Sequence, residues 1–139
     1  MKKKMIVAGL LLASALLLTA CAGAASSADP LNGSSWVLFA YRKTSPIPGT
    51  TITASFEEGE IRGSGGCNSY FGSYSIEGST LTIEGLGWTE MACLNPDGVM
   101  DQEQVVLGYL GDAETFELED GRLIIHVGGN ETLTFEPAE

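Results

Sequence analysis

The sequence predicts a mainly β, α+β domain: a small antiparallel sheet curled into a barrel-like shape, with one α-helix packed against it. Three observations predict it. Apolar residues alternate with polar ones over short runs, the pattern of strands with one buried face. Turn dipeptides such as Glu58-Gly59, Glu77-Gly78 and Asp120-Gly121 separate those runs closely enough for hairpins. A single segment, Asp97 to Leu110, instead spaces its apolar residues three, four or seven apart.

The elements follow in order. Trp36-Val37-Leu38-Phe39-Ala40-Tyr41 is an apolar, aromatic run that suits a buried strand. Lys43 to Gly49 carries Pro46, Pro48 and Gly49 and reads as a loop. Thr50 to Phe56 alternates threonine with apolar residues, and Ile61 begins the return strand after a turn at residues 57–60. Tyr70, Phe71 and Tyr74 continue as strand. Leu81 and Ile83 then alternate with Thr80, Thr82 and Glu84. In the helical segment Val99, Met100, Val106, Leu107 and Leu110 form one stripe, Asp97 or Asp101 is placed to cap its start, and Gly111 ends it. Strands resume at Thr115-Phe116-Glu117-Leu118, cross Asp120-Gly121 into Leu123 to Val127, and turn at Gly128-Gly129-Asn130 into Thr132 to Phe135. This gives seven or eight strands, and closing them into a barrel would hide the sheet edges.

The N-terminus carries a different message. Lys2, Lys3 and Lys4 precede an uncharged, mostly apolar segment from Met5 to Ala20, too short to span a bilayer and suited to a secretory signal. Its end, Leu18-Thr19-Ala20-Cys21, resembles a prokaryotic lipobox, which implies acylation of the Cys21 thiol. We therefore expect a lipoprotein signal peptide over 1–20, a flexible tether of small residues over 21–30, and one domain over 31–139. That length supports one core and no more. The expected location is the outer side of the cytoplasmic membrane or the outer membrane, with the lipid as the membrane contact. Beyond the signal 18 acidic residues face 4 basic ones, a net charge of −14. Such a surface repels nucleic acid and anionic head groups, so no nucleic-acid partner is expected.

The stretch Gly63 to Gly72, with four glycines around Cys67 and Asn68, admits several chemistries. A dinucleotide fingerprint fails, because Asn68 stands where its third glycine belongs and no helix pattern follows. A Walker-type loop fails for want of a lysine. A nucleophilic Cys67 needs a cationic or histidine neighbour, and the only histidine, His126, sits in a strand pattern. The remaining reading is structural. Besides Cys21 the chain has only Cys67 and Cys93, and an exported pair is expected to bond, or else to stay as two buried thiols. Gly63, Gly65 and Gly66 would let the strand bend or bulge to support that bond. Asn95, Asp97 and Asp101 lack the register of a calcium loop. Glu114, Glu117, Glu119 and Asp120 read as a solvated strand face. No metal site, cofactor or catalytic residue is expected.

These residues also carry a resemblance. Gly65-Gly66-Cys67-Asn68, Tyr70-Phe71-Gly72-Ser73-Tyr74, Thr89-Glu90-Met91-Ala92-Cys93 and Gln102-Glu103, with the opening Trp36-Val37-Leu38 and the closing Asp120-Gly121-Arg122-Leu123, resemble the META, or HslJ-like, domain. Glu90 departs from that pattern, where a neutral or basic residue is usual. The resemblance implies a compact antiparallel barrel with a helix against it, a cell-envelope location and a link to stress responses, with no established enzymatic activity. The leading expectation is thus a non-enzymatic, monomeric envelope lipoprotein that binds an unidentified envelope protein or apolar ligand. A likeness of such domains to secretin-pilot lipoproteins suggests a groove for an apolar peptide segment or lipid, lined by aromatics such as Trp36, Phe39, Tyr70 or Trp88, which otherwise pack the core. A thiol- or carboxylate-based enzyme is the remaining alternative.

Overall fold

A computed structural model describes residues 28–139. Eight strands run in sequence order around a closed antiparallel barrel: β1 (Ser34–Tyr41), β2 (Thr53–Glu57), β3 (Glu60–Ser64), β4 (Ser69–Glu77), β5 (Thr80–Trp88), β6 (Ala113–Glu119), β7 (Arg122–Val127) and β8 (Glu131–Pro137). One helix, α1 (Val99–Gly111), interrupts the meander between β5 and β6. β1 closes the barrel on β8, with Leu38 opposite Phe135 and Tyr41 opposite Leu133. The barrel-like expectation is met by full closure.

Alternation fills the interior. Leu38, Phe56, Ile61, Tyr74, Leu81, Phe116, Ile125, Leu133 and Phe135 all point inward and are buried. Phe56 and Tyr74 meet edge to face with ring centroids 5.0 Å apart. The predicted Asp120-Gly121 hairpin is present, with φ of 50° and 78° at the two turn residues, the left-handed pair a tight two-residue hairpin requires. Every strand partner and the core lie between Leu31 and Pro137, so the barrel is a self-contained unit.

The two ends of the barrel are closed differently. At one end Leu31 is fully buried beneath the chain entry, and Asp29 fixes that entry: its carboxylate accepts from the Leu31 amide at 2.9 Å and from the Tyr74 hydroxyl at 2.6 Å. Asp29, within the segment read as tether, is thus bonded to the barrel. Helix α1 lies over the other end. Its Gln102 is buried there, accepting from the Ile47 amide at 2.7 Å and donating to the Thr50 hydroxyl at 3.0 Å, which ties the β1–β2 loop to the helix.

The helix corrects one detail of the sequence reading. Neither Asp97 nor Asp101 caps it. Gly98, at φ 82°, is the N-cap, and Asp101 lies in the first turn, where the helix dipole favours it. Among the described residues no helix is long and apolar enough to cross a membrane. The signal peptide of 1–20 and the acylation expected at Cys21 lie outside the described residues.

Candidate functional site: the Glu103 latch and the groove beside α1

The glycine-rich stretch is a tight turn held from below. β3 ends at Ser64, residues 65–68 leave the sheet, and β4 begins at Ser69. It is therefore a turn between strands rather than the bent strand expected. Cys67 and Cys93 are bonded, with Cα atoms 5.9 Å apart. Bonding removes Cys67 as a nucleophile, and it fastens the β5–α1 loop to this turn.

The turn's polar groups converge on one buried side chain. Glu103 is 3% exposed, and its carboxylate accepts from the Cys67 amide at 3.0 Å, the Asn68 amide at 2.5 Å and the Asn68 side-chain amide at 2.7 Å. Asn68 passes the network on, its oxygen accepting from the Thr89 hydroxyl at 2.9 Å and the Met91 amide at 2.7 Å. Two glycines are required by close approach. A Cβ on Gly63 would stand 2.0 Å from the Thr53 carbonyl oxygen, and one on Gly65 would stand 2.6 Å from the Glu103 carboxylate. The Thr53 carbonyl is also the acceptor for the buried Tyr70 hydroxyl at 2.7 Å. Burial pushes the Tyr70 phenol well above its usual range.

This arrangement completes all its own hydrogen bonds, and among the described residues no buried side-chain polar atom is left without a partner. It latches the turn between β3 and β4 to helix α1. Among the described residues no cluster of histidine, cysteine, aspartate or glutamate is grouped to hold a metal. His126 faces outward from β7 and meets Glu117 at 3.0 Å. Glu114, Glu117, Glu119 and Asp120 are exposed, as a solvated face would be.

Beside the latch lies an open groove. Its volume is about 400 Å³, and it runs between β5 and α1 with Leu86, Trp88, Leu107, Gly108 and Gly111 as walls and Glu103 and Gln104 at one end. A second recess of about 340 Å³ continues past Trp88 to Glu90, Met91 and Met100. Trp88, 50% exposed, stands at the junction of the two, and Met91, 56% exposed, lines the second. A β-bulge makes this wall. Gly85 and Leu86 together oppose Gly72, between the pairs Ser73–Glu84 and Phe71–Gly87, and Gly85 has a φ of 63°. The extra residue shifts the parity of β5, so that Leu86 and Trp88 turn toward the helix instead of away from it.

The aromatics proposed as groove residues fall in three places. Trp36 and Tyr70 are core. Phe39 is exposed on the barrel wall beneath the Arg122 guanidinium, 4.6 Å from its ring centre. Only Trp88 lines the groove. Gln102 and Glu103, which the residues alone did not single out as structural, were findable: they fall at the +3 and +4 positions after Val99 on the same stripe as Val106, Leu107 and Leu110.

The META domain model matches residues 29–139. This chain is a member of the META domain family. Among solved structures the domain is similar to a protein from Burkholderia xenovorans determined by NMR, with 27% identity over 78% of this chain and 83% of that one and a TM-score of 0.66. A second protein determined by NMR gives 25% identity, 76% and 90% coverage and a TM-score of 0.63. A DUF4847 family protein from Bacteroides vulgatus shares the fold at 13% identity, with 77% and 94% coverage and a TM-score of 0.55. Comparison with curated proteins gives no match.

Proposed function

We propose that this META domain protein is an exported lipoprotein, held at the envelope membrane by acylated Cys21, whose domain is a binding module rather than an enzyme. Its ligand site is the groove beside α1, and the ligand is an apolar segment. The observation that carries this reading is an open apolar groove set on a barrel whose own interior is filled with side chains. A filled barrel stores no ligand, so binding belongs to the outside. The chain enters at Asp29–Leu31, at the barrel end opposite α1, which supports a domain that carries its groove away from the tether.

Two experiments test the reading. Cys21→Ala should release the protein from the membrane fraction or stall the precursor; a processed Cys21→Ala protein still membrane-bound refutes the anchor. Residues 28–139 should bind the neutral dye Nile red saturably, with blue-shifted emission. Gly108→Leu should weaken that binding at least tenfold, because Gly108 lines the groove and a Cβ there meets no other atom within 4 Å, so the larger side chain takes up groove space. Leucine also favours a helix interior over glycine. Dye binding unchanged by Gly108→Leu refutes the groove.

A further inference from the structure

We infer that the groove is a strand-addition site, in which an extended apolar protein segment carrying basic residues pairs with the free edge of β5 between Ile83 and Trp88. The inference rests on the binding-module reading and names the occupant of the same groove.

The barrel's weakest seam supplies the edge. β5 and β6 share a single ladder pair, Thr80 with Thr115. The next bond, from the Phe116 amide to the Ser79 carbonyl, shows β6 already running past the start of β5. Continuing that antiparallel register in the other direction sets positions 107–112 opposite Ile83 to Trp88, but most of those residues belong to the end of α1. Helical residues bond within the helix and offer no ladder. On this side, therefore, the backbone groups of β5 that point away from β4 have no strand partner, and within this stretch Leu86 and Trp88 line the apolar groove. Unpaired strand edges recruit further strands, with main-chain bonds giving affinity and pockets for alternate side chains giving selectivity.

The walls suit such a guest. Leu86, Trp88 and Leu107 offer apolar contacts, while Gly108 keeps the facing helix surface low. A volume of about 400 Å³ lies at the small end of ligand sites, enough for a few residues of chain.

Charge selects among occupants. The described residues carry a net charge of −14, with Arg42, Lys43, Arg62 and Arg122 as their only lysines and arginines. None of these four lines the groove or the adjoining recess, whereas Glu90 and Glu103 do. A second copy of the chain would bring a like charge to the same edge, and an anionic lipid would be repelled. The chain's own tether enters at the opposite end of the barrel. A basic-flanked apolar segment is the complementary partner.

The test uses residues 28–139 and a fluorescein-labelled heptapeptide of alternating valine and threonine with a lysine at each end. Expected are saturable binding, at least tenfold weaker for Gly108→Leu and for a copy with glutamates in place of the lysines, and slowed amide hydrogen exchange within residues 83–88. Two copies N-methylated at alternate backbone nitrogens, in opposite phases, should differ at least tenfold, because only one phase removes donors aimed at β5. Equal binding of both copies would overturn strand addition while leaving an apolar groove in place. No binding of the lysine peptide, with Nile red still bound, would do the same. Loss of both probes would overturn the groove as well, and dimerisation through residues 83–88 would assign the edge to a second copy instead.

Discussion

Replacing Glu103 isolates the latch. The carboxylate accepts three bonds, two from backbone amides of the turn and one from Asn68, at 2.5 to 3.0 Å. Each donor left buried without a partner costs about 1–3 kcal/mol. The disulfide at Cys67 also keeps the turn from moving far toward water. Glu103→Ala is therefore expected to destabilise the domain by about 3–5 kcal/mol, the cost of two or three such donors. Glu103→Gln is the sharper variant. Its carbonyl oxygen can still serve the two backbone amides, but its amide group then faces the Asn68 amide, donor to donor. Asn68 is unable to turn over, because its oxygen already accepts from Thr89 and Met91. A loss of about 2 kcal/mol is expected, the worth of one charge-assisted bond. The assay is urea unfolding of the oxidised domain followed by circular dichroism. With a slope of about 1–3 kcal/mol per molar, Glu103→Ala should lower the midpoint by on the order of 2 M. A midpoint for Glu103→Ala within about 0.3 M of the parent would refute the latch.

Three more outcomes follow from the same geometry. Replacing Cys67 and Cys93 together by serine frees a loop whose ends are 26 positions apart and should cost up to about 3.5 kcal/mol, read as a lower melting temperature with far-ultraviolet circular dichroism intact; an unchanged melting temperature would contradict it. Gly63→Ala forces a Cβ into the Thr53 carbonyl, which is backbone and has little room to yield, so it should destabilise more than Gly108→Ala, for which space is open; the reverse order in thermal melts would count against the model of the turn. Burial, and for Tyr74 also Asp29, raises both the Tyr70 and Tyr74 phenols above the unfolded value near 10. Their contribution is complete below about pH 10 and is lost as pH rises beyond it, because only the unfolded chain ionises readily there. Tyr70→Phe should flatten that alkaline decline in urea midpoints between pH 8 and 11, and a slope equal to the parent's would exclude the effect.

The strands were legible because their information is local. Alternation in Thr80 to Glu84 and the dipeptide Asp120-Gly121 each determine geometry within a few residues. Of the groove only Trp88 was legible, because its shape depends on the bulge at Gly85. Counted at strict period two, Leu86 and Trp88 fall on the same face as the solvated Thr80, Thr82 and Glu84, and only the pairing with β4 shows that one residue has been skipped. The latch lies between these cases. Gln102 and Glu103 sit on the apolar stripe of α1, so their burial could be inferred, but their partners lie 35 to 55 positions away. Two cysteines in a chain whose start reads as an export signal pointed to the bond between them, while the turn they fasten takes its shape from Glu103.

Closure of β1 on β8 has a consequence for how the chain reaches this state. Every other ladder joins strands adjacent in sequence, so hairpins can form independently and early, and the final seam alone waits for both ends of the domain. The Ala138 amide donates to the Ser35 carbonyl at 2.9 Å, which places the two ends side by side. Bringing them together is one loop closure of roughly a hundred residues, slow in folding yet dearer in entropy by only a small logarithmic increment than closing a shorter loop. Adjacent ends also make the molecule topologically indifferent to where the chain is cut. A circular permutant joined through residues 28 and 139 and opened at Asp120-Gly121 keeps all eight strands and converts the slowest pairing, between first and last, into a local hairpin.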